Sequence, residues 1–260
     1  MPSEIGWGGL LASLVLVAVA VALSVARRLG VERSIVWASA RALVQLLLVG
    51  VALDLVLDAS HSIWWAWLWV GAMILFAADT VRRRAPEIPG AFILSLAAFA
   101  AAGVVTLGVL FGFGVFPLEA RALIPVAGMT VGNSLASTVL AGRRVLEELR
   151  DKRDEVEARL ALGLASGDAA RPYLRAAVRT ALVPQIETTK SVGLVFLPGA
   201  MTGLILAGVD PLDAVLVQTA VMYLVLGSVA TTVTVVSLGA QRALFTRDHR
   251  LVVPARANDA

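Results

Sequence analysis

The chain has 260 residues, is 58% hydrophobic with a mean hydropathy of +0.84, and carries a formal net charge of +3. A soluble domain of this length cannot hide so much apolar surface, which leaves a polytopic helical membrane protein with no separate soluble domain. The absence of cysteine excludes disulfides, thiolate metal sites and cysteine nucleophiles.

In chain order, apolar runs predict spans at about 5–26, 35–53, 63–79, 91–112, 122–141, 190–209 and 213–238, within a single transmembrane domain covering 1–260. The first run follows Glu4 and precedes Arg27 and Arg28, the reverse of a secretory signal, so it reads as a retained span with its N-terminus outside. On that orientation, all of the 22 Lys and Arg except Arg41, Arg121 and Lys190 fall in cytoplasmic segments, as the positive-inside rule requires. The fold class is therefore an all-α polytopic membrane protein. It has about seven transmembrane helices, the N-terminus outside, the C-terminus cytoplasmic, and a cytoplasmic helical elbow between spans five and six.

Span two carries Arg41 and Gln45 one turn apart. Trp64, Trp65, Trp67 and Trp69 open span three as an interfacial belt, and Asp79 stands at its inner end. Span five carries Asn133, Ser134 and Thr138, and the entrance to span six carries Glu187 and Lys190, with Thr202 further along. Polar groups at membrane depth are candidates for a solute path. Hydrogen bonding between helices is the competing account of a lone Ser or Thr, whereas Asn133, Glu187 and Lys190 cost more to bury. Glu187 and Lys190 are three residues apart and share a helix face if this stretch is helical.

Small residues at spacing four line span five (Gly128, Gly132, Ala136) and span six (Gly199, Gly203, Ala207). They allow close helix packing, of the two spans against each other or across a dimer. Pro198 is expected to bend span six. Met129, Met201 and Met222 read as gap fillers rather than soft metal ligands.

The segment 142–188 reads as two amphipathic helices. The first continues span five on Leu149, Val156, Leu160 and Leu164, breaks at Ser166–Asp168, and is followed by a second helix capped by Asp168, with Pro172 near its start and Pro184 at its end. Arg171, Arg175 and Arg179 form a basic row on that second helix, suited to anionic lipid or to a groove on a protein partner. Glu157 to Gly163, with Leu160 between, loosely resembles the element by which ABC import permeases engage their ATPase, although Arg159 replaces its second alanine.

The stretches "GMTVGNSLAS", "LALG", "TTKSVGLVFLPGAMTGLILAGVDPLDAV" and "VMYLVLGSVATT" resemble the FetB-type iron-export ABC permease family, whose plant relatives include aluminium-tolerance subunits. The strong part covers about 128–232, and the first four spans match mainly in layout. The resemblance implies a dimeric permease that works with a separate ATP-binding subunit, on which ATP and magnesium are bound. The sequence agrees on one point, because it lacks the Walker phosphate loop: Lys190-Ser191 is its only Lys-Ser/Thr pair and Pro184 stands where the first glycine is needed.

Iron, or another metal ion, rests on the resemblance alone, since no histidine falls in a span. A non-metal polar solute such as a nucleotide sugar is the alternative. A secondary transporter without an ATPase is a third reading, against which no convincing internal repeat is found. "GNSL" at 132–135 offers Ser134 no base, so an intramembrane enzyme is not expected. Neither is a nucleic-acid partner. The expected location is the cell membrane, in contact with lipid.

Overall fold

A computed structural model describes residues 7–56 and 62–253. Residues 5 and 6 of the first expected span, together with His61 and Arg256, lie outside the described residues. The chain divides into two compact units, Met1–Ser62 and Ile63–Ala260.

In the first unit, α1 (Trp7–Arg27) and α2 (Glu32–Val56) form a helical hairpin. The turn between them places Arg28 and Gly30 at positive φ, and the Ser24 hydroxyl donates to Glu32 Oε1 at 2.8 Å across it. The apolar window of α2 buries none of its residues within the chain, as suits a helix whose partner is lipid.

The second unit contains α3 (Trp64–Arg84), α4 (Ala91–Gly112), α5 (Ala120–Asp151), α6 (Arg153–Ala161), α7 (Ser166–Ser191), α8 (Gly199–Leu206) and α9 (Pro211–Ala243). Its centre is the contact of α9 with α5 and α4. Small side chains make this contact close. Ala91, Ser95, Ala98, Ala102 and Thr106 form the buried stripe of α4 at three- and four-residue spacing. Ser134, Thr138, Ala141 and Gly142 do the same on α5, and Ser228, Thr232, Val236 and Ala240 on α9. Lipid supplies no hydrophobic drive for helices to associate, so backbone proximity and van der Waals packing hold such a seam.

Among the described residues, five helices are long and apolar enough to cross a membrane: α2 through Leu53, α3, α4, α5 and α9. In α1 the apolar stretch is Leu11–Arg27. The sixth expected span, 190–209, is not one helix. Its first residues end α7, Val192–Pro198 leave helical structure, and only Gly199–Leu206 resume it as α8. Gly193 turns the chain at φ +83, its amide donating to Phe196 O at 3.0 Å, and Pro198 is the extended residue that caps α8. The expected bend at Pro198 is therefore a full interruption. A proline disfavours helix at the residue before it, here Leu197, and the left-handed glycine completes the break.

Pro184 departs from expectation in the opposite sense. It sits inside α7, which continues to Ser191. A proline removes one backbone donor, and α7 is held by packing on α5 and α9 while Thr188 and Thr189 hydroxyls donate to the carbonyls four residues back, at 2.9 and 2.8 Å. Likewise the Ser166–Asp168 stretch begins α7 instead of breaking the elbow. The break precedes it, at Leu162–Ala165, where Gly163 has φ +90, and Ala165 is the N-cap in place of Asp168.

At about 48 Å, α5 is some three turns longer than a hydrocarbon core and carries the span into the elbow. There Val145, Leu149 and Val156 pack with Ala169, Tyr173 and Ala177 of α7. Tyr173 latches the two limbs: its hydroxyl donates to Glu155 Oε2 at 2.8 Å, and the Arg159 guanidinium stands 5.8 Å from its ring centroid. Hydrogen bonds from Lys152 and then Tyr173 hold the Glu155 carboxyl below its usual range. Burial first, and the Glu155 bond second, push the Tyr173 phenol up. The carboxyl contribution is therefore present above the ordinary carboxylate pKa of about 4.3 and is lost as pH falls through the lowered value. The phenol contribution is complete below about pH 10 and is lost as pH rises through the raised value. Tyr173→Phe is expected to return Glu155 toward its usual range and to lower hydrogen-exchange protection of α6 at neutral pH, with the spans unchanged. Unchanged α6 protection would show that the latch does not hold the elbow.

After α9 the chain makes a short hairpin. Phe245 bridges Leu251, Val252 N donates to Leu244 O at 2.8 Å, and Leu244 and Leu251 are buried against the elbow core.

Candidate functional site

The sequence-predicted polar residues fall in separate places. Ser134 and Thr138 are wholly buried in the α4–α5–α9 seam. The Ser134 hydroxyl donates to Ser228 Oγ on α9 at 3.0 Å and also lies 2.6 Å from Thr130 O, while Thr138 donates to Ser134 O at 2.7 Å. Thr106 and Thr130 hydroxyls approach to 3.5 Å. Buried hydroxyls satisfied by their own helix and by a neighbour lock two helices in register. Gln218 on α9 is also buried, and its Oε1 has no hydrogen-bond partner among the described residues. For Ser228 and Thr232 a signal is present in "LGSVATTVTVVS", polar positions recurring at helical spacing in an apolar run; Gln218 lies ahead of that run.

Asn133 is on the other face of α5. It is exposed, donates from Nδ2 to Met129 O at 2.9 Å, and is flanked by exposed Gly132 and Ala136. Of the two glycine rows, only Gly128 meets a neighbour: a Cβ there would lie 3.3 Å from Met73 Cε on α3. At Gly132, Gly199 and Gly203 a Cβ would meet nothing within 4 Å. Neither row packs on the other within one chain. Thr202 is exposed on α8, its hydroxyl 3.2 Å from Pro198 O, and the interrupted stretch before it presents Leu194 and Val195 at 91% and 79% exposure.

Glu187 and Lys190 share one face of α7 and form an exposed ion pair, Nζ to Oε1 2.9 Å. Such a pair contributes about 0–1 kcal/mol. Glu187→Gln is therefore expected to shift the melting temperature little; a large loss restored by Lys190→Met would make the pair a structural clasp. Arg41 and Gln45 are exposed on α2 in the first unit. Asp79 at the end of α3 accepts from Arg82 and Arg83, each at 2.6 Å, and Arg143 donates to Arg84 O. Among the described residues no group of three His, Asp or Glu could hold a metal ion.

The elbow gathers the third set. Glu157 pairs with Arg153 at 2.6 Å, Leu160 is half-buried against the elbow core, and Gly163 makes the turn. Arg171, Arg175 and Arg179 are exposed along α7, with Arg171 3.9 Å from Asp168.

The sequence is 35% identical over 239 residues to UPF0014 membrane protein YjkA of Bacillus subtilis, covering 92% of this chain and 95% of that one. It is 32% identical over 248 residues to the "Probable iron export permease protein FetB" of Escherichia coli, covering 93% of each chain. It is 31% identical over 251 residues to "Protein ALUMINUM SENSITIVE 3" of Arabidopsis thaliana, covering 95% of this chain and 90% of that one. No solved structure matches significantly. The profile of the uncharacterised protein family UPF0014 matches residues 7–245, from the start of α1 into the hairpin after α9, and the chain is an integral membrane protein of that family.

Proposed function

We propose that this chain is the membrane-spanning permease subunit of an ABC-type exporter. It acts as a homodimer, is powered by a separate ATP-binding subunit, and carries iron or another metal ion out of the cell. The elbow is cytoplasmic and its α6–α7 surface docks the ATPase, with Glu157, Leu160 and Gly163 at the turn and Arg171, Arg175 and Arg179 along the helix. The permease named in the relative from Escherichia coli supports this reading.

The observation that carries it is the outward face of α5. An amide side chain in hydrocarbon is costly unless water or another polypeptide meets it. Asn133 stands exposed between Gly132 and Ala136, and the broken stretch before α8 leaves non-helical backbone at Gly193 and exposes Leu194 and Val195. Non-helical backbone at membrane depth is tolerated where protein covers it or where it lines a water-filled cavity. A second copy laid over these surfaces supplies both, and Asn133 and Thr202 then face the solute path. Asn133→Leu tests this, because the two side chains are similar in size. Beside lipid the change is neutral or stabilising, whereas on the path it is expected to lower transport at least about tenfold with the protein still folded. Full transport by Asn133→Leu would make the face a lipid face and remove the argument.

A further inference from the structure

A cavity of about 710 Å³ opens between the first turns of α7, the last turns of α9 and the hairpin that follows. Four arginines line it, Arg171 and Arg175 from α7, Arg242 from α9 and Arg247 from the hairpin, against one carboxylate, Asp168. Among the described residues Arg175, Arg242 and Arg247 form no ion pair.

Its floor is built as well as charged. Gln241 is 7% exposed and lines the cavity, and its side chain makes no hydrogen bond among the described residues. Its Nε2 lies 4.0 Å from where a Cβ of Gly167 would stand. The amide opens on the cavity and is free to bond a group that is not part of the chain. Gly167 is the second residue of α7, and its backbone amide has no acceptor within the helix. His249, at φ +58, closes one side: its Nδ1 lies 3.0 Å from Ser166 Oγ and accepts from Ser166 N at 3.3 Å.

We infer that this cavity is a binding site for a phosphate group. The first turn of α7 offers the Gly167 amide and a positive dipole end, the arginines offer forked donors, and the Gln241 amide offers a further donor at the bottom. A soluble phosphate and the headgroup of an anionic phospholipid share this chemistry. The inference does not rest on the ATPase reading, and Arg242 and Arg247 stand outside the row assigned to docking.

The full chain in neutral detergent is titrated with inorganic pyrophosphate by calorimetry, and retention of phosphatidylglycerol against phosphatidylcholine is followed by native mass spectrometry. Wild type is expected to bind pyrophosphate, or to retain phosphatidylglycerol selectively, and whichever binds names the source. Arg242→Gln/Arg247→Gln removes two exposed side chains without touching the core and is expected to weaken that binding about tenfold or more. Gln241→Leu is expected to weaken it as well, with an unchanged elution volume confirming the fold. No binding of either probe to wild type, or equal binding by the double variant, overturns the site. Failure of the wild-type chain to associate with an ATP-binding subunit, with phosphate binding intact, would instead fault the docking reading alone.

Discussion

Gly239→Leu is expected to lower stability by about 1–3 kcal/mol, because it overpacks the crossing of α9 with α4. A Cβ at Gly239 on α9 would overlap a δ-methyl of Leu94 on α4 and lie 3.2 Å from both the Cγ and the other δ-carbon. One methyl can be accommodated by turning Leu94; a whole leucine must move the helices apart. Gly142 makes the equivalent close approach on α5, against Ile88 and Val236. Gly227, on the same helix as Gly239, has nothing within 4 Å of a Cβ and gives the control. Gly227→Ala is expected to melt at or above wild type, since alanine favours a helix over glycine by up to about 1 kcal/mol. Thermal melts in detergent read the difference. A Gly239→Leu protein as stable as wild type would mean that α4 and α9 do not meet there.

Reversing Arg171, Arg175 and Arg179 to Glu is expected to abolish co-purification with the ATP-binding subunit while leaving the spans folded. The three side chains are exposed along α7, and the buried face of that helix (Ala169, Ala170, Tyr173, Ala177, Ala181) is untouched. Reversal of three charges at an interface turns attraction into repulsion and costs binding, not fold. Full ATPase association by the triple variant, with only lipid retention lost, would assign the row to the membrane surface.

The spans built from long uninterrupted apolar runs were legible because hydrocarbon demands such runs whatever the tertiary structure. The helices α3, α4, α5 and α9 lie where the sequence puts them, and α5 runs past Leu149 into the elbow, but the expected continuous stripe breaks at Lys152, so that Val156 lies on the separate helix α6. The prolines were less legible. A proline reports only a missing donor and a fixed φ, and neighbours decide whether the helix survives it. Packing on α5 and α9 carries α7 through Pro184, while Gly193 and Pro198 together end the helix in a stretch that is largely exposed. The hairpin after α9 carried no apolar periodicity to announce it; its place is set by Leu244 and Leu251 filling the elbow core.

At the site, the i,i+3 spacing of Glu187 and Lys190 anticipated their contact, because it depends on one helix alone. The division of span five into a buried hydroxyl face at Ser134 and Thr138 and an outward amide at Asn133 was not visible in a list of polar residues. It follows from which side of α5 meets α9, a long-range fact. The cavity between α7, α9 and the hairpin is likewise assembled from residues some 75 positions apart.

The most direct measurement is transport in proteoliposomes that hold the purified chain with or without its ATP-binding subunit, followed by the movement of iron(II) across the bilayer. Movement that requires the ATP-binding subunit and hydrolysable ATP, and that falls with Asn133→Leu, is the predicted result. Iron(II) movement by the chain alone, driven by an ion gradient and indifferent to ATP, would contradict the permease account.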